Sequence, residues 1–177
     1  MEENMSDIYD NVVSQQDVFK KILSKIPGFK GYFERADRRS ADKLLREMIA
    51  DRFQEQWARL SQIQNDLVKA GNIDVLDDIE SASIKIRTFV DRVRTAAYGY
   101  AGFFDAVKVN EKELEQLYQY DLKLLSLLDG LTSAVDNLEA SVNSDGFPAA
   151  IRNTVQKAQD AIDAFNDRCE LLKMGQQ

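Results

Sequence analysis

Apolar residues recur every three or four positions along most of this chain. In the last segment, Ile151, Val155, Ala158, Ile162, Phe165, Cys169 and Leu172 alternate spacings of four and three. That seven-residue rhythm keeps one seam on one face of a gently supercoiled helix. The preceding segment keeps the same beat through Leu114, Leu117, Asp121, Leu124, Leu128, Leu131, Val135, Leu138 and Val142. A third runs through Ile79, Ser83, Ile86, Val90, Val93, Ala97 and Tyr100. A further one runs through Ile49, Phe53, Gln56, Leu60, Ile63, Leu67 and Ala70. The N-terminal segment carries Met5, Ile8, Val12, Gln15, Phe19, Ile22 and Ile26. No segment alternates with period two over strand length.

Local punctuation agrees with the period. Gly71-Asn72 suits a helix C-terminus, because both residues tolerate a left-handed backbone. Asp74 is the expected N-cap of the next helix, with Asp77 and Asp78 in its first turn. Asn110 to Glu113 has the form of a capping box. Asn143 to Pro148 reads as a turn followed by proline at a helix start. The spacing predicts helices over 5–26, 38–70, 74–99, 110–142 and 148–173. The expected fold is all-α: an elongated antiparallel up-down-up-down four-helix bundle with an additional amphipathic N-terminal helix. The expected divisions are an N-terminal helix at 1–26, a junction at 27–37 and the bundle at 38–177, within one domain.

The 177 residues hold 23 Lys and Arg, 30 Asp and Glu, one Cys and no His. The net charge of −7 argues against a general nucleic-acid binder, which needs a broad cationic face. Without histidine the commonest general base and zinc ligand are missing, and with them the usual serine nucleophile–base couple. One cysteine excludes an internal disulfide. Neither a catalytic centre, a metal site nor a cofactor is expected. The N-terminus lacks the basic and apolar regions of a signal peptide, and no apolar run would span a bilayer. A cytoplasmic location follows as the expectation, peripheral to a membrane under the second reading below.

Asp121 interrupts a leucine seam. A buried carboxylate must be paired, hydrogen-bonded or neutralised. It is read as a register device paired with a lysine or arginine of another helix, as a wet position where the bundle opens, or as a catalytic or ligand-binding group. Cys169 reads as a small seam filler. Glu47, Asp51 and Glu55, and likewise Asp160, Asp163 and Asp167, read as solvated faces.

Charge is unevenly placed. Residues 20–39 hold seven basic and two acidic side chains, a net +5, which leaves −12 for the rest. This stretch includes Pro27, Gly28 and Gly31. The aromatic and glycine-rich run YGYAGFF begins at Tyr98. In the expected topology both lie at one end of the bundle. Candidate partner- or ligand-binding residues are therefore Lys30, Tyr32, Phe33, Arg35, Arg38, Arg39, Tyr98, Tyr100, Phe103 and Phe104. The plain alternative is an aromatic plug closing the bundle end. A protein partner or self-association is the leading expectation. The second reading is an anionic membrane surface bound through the first helix and the basic junction. A carboxylate and magnesium hydrolase is the third.

Residues 41–56, ADKLLREMIADRFQEQ, are similar to the start of the helical hairpin in phage-shock membrane-remodelling proteins. Those proteins continue as one very long hairpin, whereas Gly71-Asn72 ends this segment, and no residue role is carried across.

Overall fold

A computed structural model describes residue 18 and residues 20–26, 38–96 and 111–174. It is all-helical over these residues. Helix α1 is described at residue 18 and over 20–25. Four long helices follow: α2 (Arg38–Ala70), α3 (Leu76–Thr95), α4 (Glu111–Ser141) and α5 (Phe147–Met174). Their boundaries follow the punctuation in the sequence. Gly71 has φ +79°. Its N–H donates to the Val68 carbonyl at 3.1 Å, and the Asn72 N–H donates to Leu67 at 3.0 Å. These two bonds make a Schellman motif and satisfy the last carbonyls of α2. An added Cβ at Gly71 would meet nothing within 4 Å. The cost of Gly71→Ala is therefore backbone strain alone, and urea unfolding is expected to show a loss of about 1 kcal/mol.

The start of α3 departs from expectation. Val75, not Asp74, occupies the N-cap position, and it makes no side-chain cap bond. The Leu76 N–H donates instead to the Ile73 carbonyl at 3.2 Å, a backbone turn that replaces the cap. Asp77 and Asp78 do lie in the first turn, facing the positive end of the helix dipole.

The principal helix pairs are α2–α3, α3–α5, α4–α5 and α2–α4. Arg46 meets the Val93 carbonyl and Gln64 meets Ser83, so α2 and α3 are antiparallel. Asp121 meets Arg168 and Ala134 meets Thr154, which makes α4 and α5 antiparallel. Arg59 of α2 reaches Asp136 and Glu139 of α4. Consecutive helices are neighbours across the two tight turns, as expected. They are not a principal pair at α3 and α4, where the expectation of neighbours fails. Fifteen residues, 96–110, separate them, and a connection of that length does not confine two helices to adjacent places.

The core follows the predicted seams in α2, α3 and α4, with two exceptions at described ends: Ala70 is exposed and Val142 half-buried. Phe53 of α2, Phe89 of α3 and Phe165 of α5 meet in it, with Phe89 tilted against Phe53 at a centroid distance of 4.1 Å and edge-to-face with Phe165 at 5.9 Å. The buried face of α5 is displaced from the expected one. Ile151, Ala158 and Phe165 are buried, but Thr154, Ala161 and Arg168 take the intervening places. Val155, Ile162 and Cys169 are only half-buried. Small side chains at Ala150, Thr154, Ala161 and Ala164 let α5 approach closely, and the Thr154 hydroxyl reaches the Ala134 carbonyl of α4. Val18, Ile22 and Ile26 join the same core, and Lys25 of α1 pairs with Asp129 of α4.

Candidate functional site

The displaced face of α5 places an arginine inside the protein. Arg168 is 0% exposed and Asp121 of α4 is 1% exposed. The Arg168 Nε donates to Asp121 Oδ1 at 2.8 Å. Its Nη2 donates to Oδ1 of Asp42, which reaches in from α2. Asp42 Oδ2 accepts from Arg46 Nε at 2.9 Å, and Arg46 Nη1 donates to the Val93 carbonyl of α3 at 3.2 Å. Two carboxylates and two guanidiniums thus form one buried clasp that touches all four long helices. Asp42 and Arg46 stand one helical turn apart, so they present side by side from one face of α2.

Burial pushes the Asp121 carboxyl up to about 6, against the pull of the Arg168 guanidinium, and the nearby Asp42 charge adds to the rise. Burial also works against the charge of Arg168. The Asp121 and Asp42 carboxylates outweigh that and hold its pKa above the usual range. Among the described residues nothing bonds to Nη1 of Arg168.

The raised carboxyl has a consequence for stability. Its folded value, about 6, lies above the ordinary 3.8. Between those values the folded state binds more protons than the unfolded one. The Asp121 contribution is therefore greatest at acid pH and declines as pH rises through about 6. Relative to Asp121→Asn, the wild type is expected to lose stability from about pH 4 to pH 6 and then level off. Urea unfolding across that range checks it; a relative gain over the same window would show that Arg168 depresses the carboxyl instead.

A carboxyl near pH 6 falls in the range useful to a general base. Here it is closed off from solvent and engaged by Arg168, so the arrangement fits a structural clasp and not an open catalytic centre. Among the described residues no cluster of three or more His, Cys, Asp or Glu could hold a metal ion. No described helix is long and apolar enough to cross a membrane.

Asp121 was legible as a seam interruption, whereas Arg168, Asp42 and Arg46 were missed. The other candidates fall differently. Arg38 and Arg39 open α2. Lys30, Tyr32, Phe33, Arg35, Tyr98, Tyr100, Phe103 and Phe104 lie outside the described residues. The helix ends that flank their two stretches are described. The start of α2, the end of α3 and the start of α4 stand at one end of the molecule, beyond the clasp. Glu47, Asp51, Glu55, Asp163 and Asp167 are exposed, and Asp160 is half-buried.

Two clefts open at the opposite end, around the α2–α3 and α4–α5 turns. One, of about 390 Å³, has Ile63, Leu67 and Val142 as its floor and Asp66 and Glu139 at its rim. The other, of about 350 Å³, is lined by Leu67, Val75, Phe147 and Pro148 with Asp74 beside them. Asn72 Nδ2 donates to Asn143 Oδ1 at 3.2 Å, and both residues line both clefts.

Comparison with protein-family models, with characterised proteins and with solved structures finds no match to the chain.

Proposed function

We propose that this chain is a non-enzymatic interaction protein: an adaptor, scaffold or oligomer subunit. Its long helices form a four-helix bundle whose directions alternate along the chain. The clasped end presents the basic stretch at 27–39 and the aromatic stretch at 98–104 to an anionic protein partner. One observation carries the reading. The start of α2, the end of α3 and the start of α4, which border the two stretches, share one end of the molecule, where a closed ionic clasp ties the four long helices, while the end of α1 lies farther along α4 at the Lys25–Asp129 pair. The ionisable chemistry of the clasp is spent on holding helices together, and the concentrated positive charge lies outside it.

The described part of α1 supports a protein partner over a lipid surface. A membrane-bound α1 would need its apolar face free, and Ile22 and Ile26 are buried against the bundle. Cross-linking of the full chain in a native extract, read by mass spectrometry, tests the reading. It is expected to place partner cross-links at Lys30, and K30E/R35E is expected to lose the partner with its circular dichroism unchanged. Binding to anionic vesicles that the same variant abolishes would favour the membrane reading. Magnesium-dependent nucleotide hydrolysis lost in Asp121→Asn would overturn both.

A further inference from the structure

We propose that the two clefts at the turn end are the docking surface for the basic, aromatic stretch 28–39 of a second copy of this chain, so that copies join head to tail. The inference rests on the functional reading above and names its partner.

The turn end has the chemistry of a receptor for such a stretch. Leu67 and Phe147 form apolar floors, and Ile73 stands 63% exposed at the tip between the clefts. Each cleft is of a size that takes one large side chain. The surroundings are strongly acidic. Residues 59–83 and 134–154 carry eight carboxylates against Arg59, Lys69 and Arg152, a net −5, with Arg59 paired to Asp136 and Glu139. Among the described residues Asp74, Asp77, Asp78 and Asp145 form no ion pair, and all four are exposed.

The sequence contains one stretch that complements this surface. GFKGYFERADRR, from Gly28, interleaves Phe29, Tyr32 and Phe33 with Lys30, Arg35, Arg38 and Arg39. Aromatic side chains suit the floors and the cations suit the rim. Its own chain cannot deliver it there. The nearest cleft-lining residue on α2, Gln62, stands 24 residues from Arg38, which is about 36 Å of helix. Phe29 is only nine residues from Arg38, a reach of at most about 32 Å even fully extended. Tyr32 and Phe33 reach less. The occupant is therefore a second molecule.

The two surfaces differ, so the contact is heterologous. Each copy keeps one free face of each kind, and assembly continues unless the ring closes. Sedimentation velocity of the full chain over a concentration series, at low and at raised salt, tests this. The wild type is expected to form oligomers that grow with concentration and dissociate at raised salt. D74K/D145K spoils the acidic end, and K30E/R35E spoils the basic stretch. Each alone is expected to weaken association at least about tenfold. Mixed together, they retain one intact face each and are expected to form a dimer that grows no further. Unfolding midpoints close to wild type exclude loss of fold. A wild type that stays monomeric, or variants that assemble as the wild type does, overturn the inference. Loss of a different partner by K30E/R35E in a monomeric protein would leave the functional reading standing without it.

Discussion

Arg168→Met is expected to lower the free energy of unfolding at pH 7 by about 3–5 kcal/mol. Methionine keeps much of the side-chain volume and removes the charge. Asp121 then remains inside the protein with no cation bonded to it, and Asp42 keeps only Arg46. The cost is that of an uncompensated buried carboxylate and not of a lost contact. It follows that the loss shrinks at acid pH, where the carboxylates take up protons. Urea denaturation at pH 7 and pH 4 measures both. Equal losses at the two pH values would mean that charge is not what Arg168 supplies.

Phe89→Ala is expected to cost a similar amount, about 3–5 kcal/mol, through a different mechanism. Phe89 is fully buried and stands between Phe53 and Phe165, joining α3 to both α2 and α5. Truncation removes transfer energy and opens a cavity where three helices meet. Half-buried Trp57 packs at the edge of the same core, and Trp57→Ala is expected to cost clearly less despite its larger ring. This loss should be indifferent to pH between 4 and 7, which separates it from the clasp. Thermal or urea unfolding of the two alanine variants is the check; equal losses would place Phe89 outside the centre of the core.

The contrast between these two sites shows what the sequence made legible. Phe53, Phe89 and Phe165 announce themselves, or their seams, by the seven-residue rhythm, because burial of apolar surface is what that rhythm encodes. Phe89 itself lies one place from the predicted seam residue Val90, and both are buried. The clasp was half legible. Asp121 was visible as a charge in a leucine seam. Arg168 was not, because Val155, Ile162 and Cys169 are more apolar than Thr154, Ala161 and Arg168 and drew the seam to themselves. Close approach of α4 and α5 through small residues decided the other way, and the periodicity of one helix does not show how closely its neighbour approaches. One signal was available. Reflecting position 121 through the turn between Ser141 and Phe147 lands within one residue of Arg168, and an antiparallel pair joined by a short turn requires that register. Asp42 and Arg46 resemble an ordinary surface pair at i and i+4, and only the assembled helices reveal them as buried. The clefts at the turn end were not legible for a similar reason. Asn72 and Asn143 are plain turn residues in sequence, and the clefts beside them exist only once the two turns meet.

Arg168 is the member of the clasp that joins α5 to both α2 and α4. Its Nε and Nη2 are spent on Asp121 and Asp42 inside the protein. A neutral, well-packed replacement of a buried pair often equals or exceeds it, whereas removal of one partner does not. R168M/D121L would leave Asp42 and Arg46 as a neutral pair within α2 and turn the rest of the clasp apolar.

A thermodynamic cycle of urea unfolding at pH 7 on the wild type, R168M, D121L and R168M/D121L tests the central claim most directly. Arg168→Met should lose most, Asp121→Leu less because Arg168 keeps Asp42, and the double variant should recover most of the loss. The account therefore predicts a coupling of at least about 2 kcal/mol between the two positions. Single losses that simply add, with coupling near zero, would contradict it, because Arg168 and Asp121 would then not meet inside the folded protein.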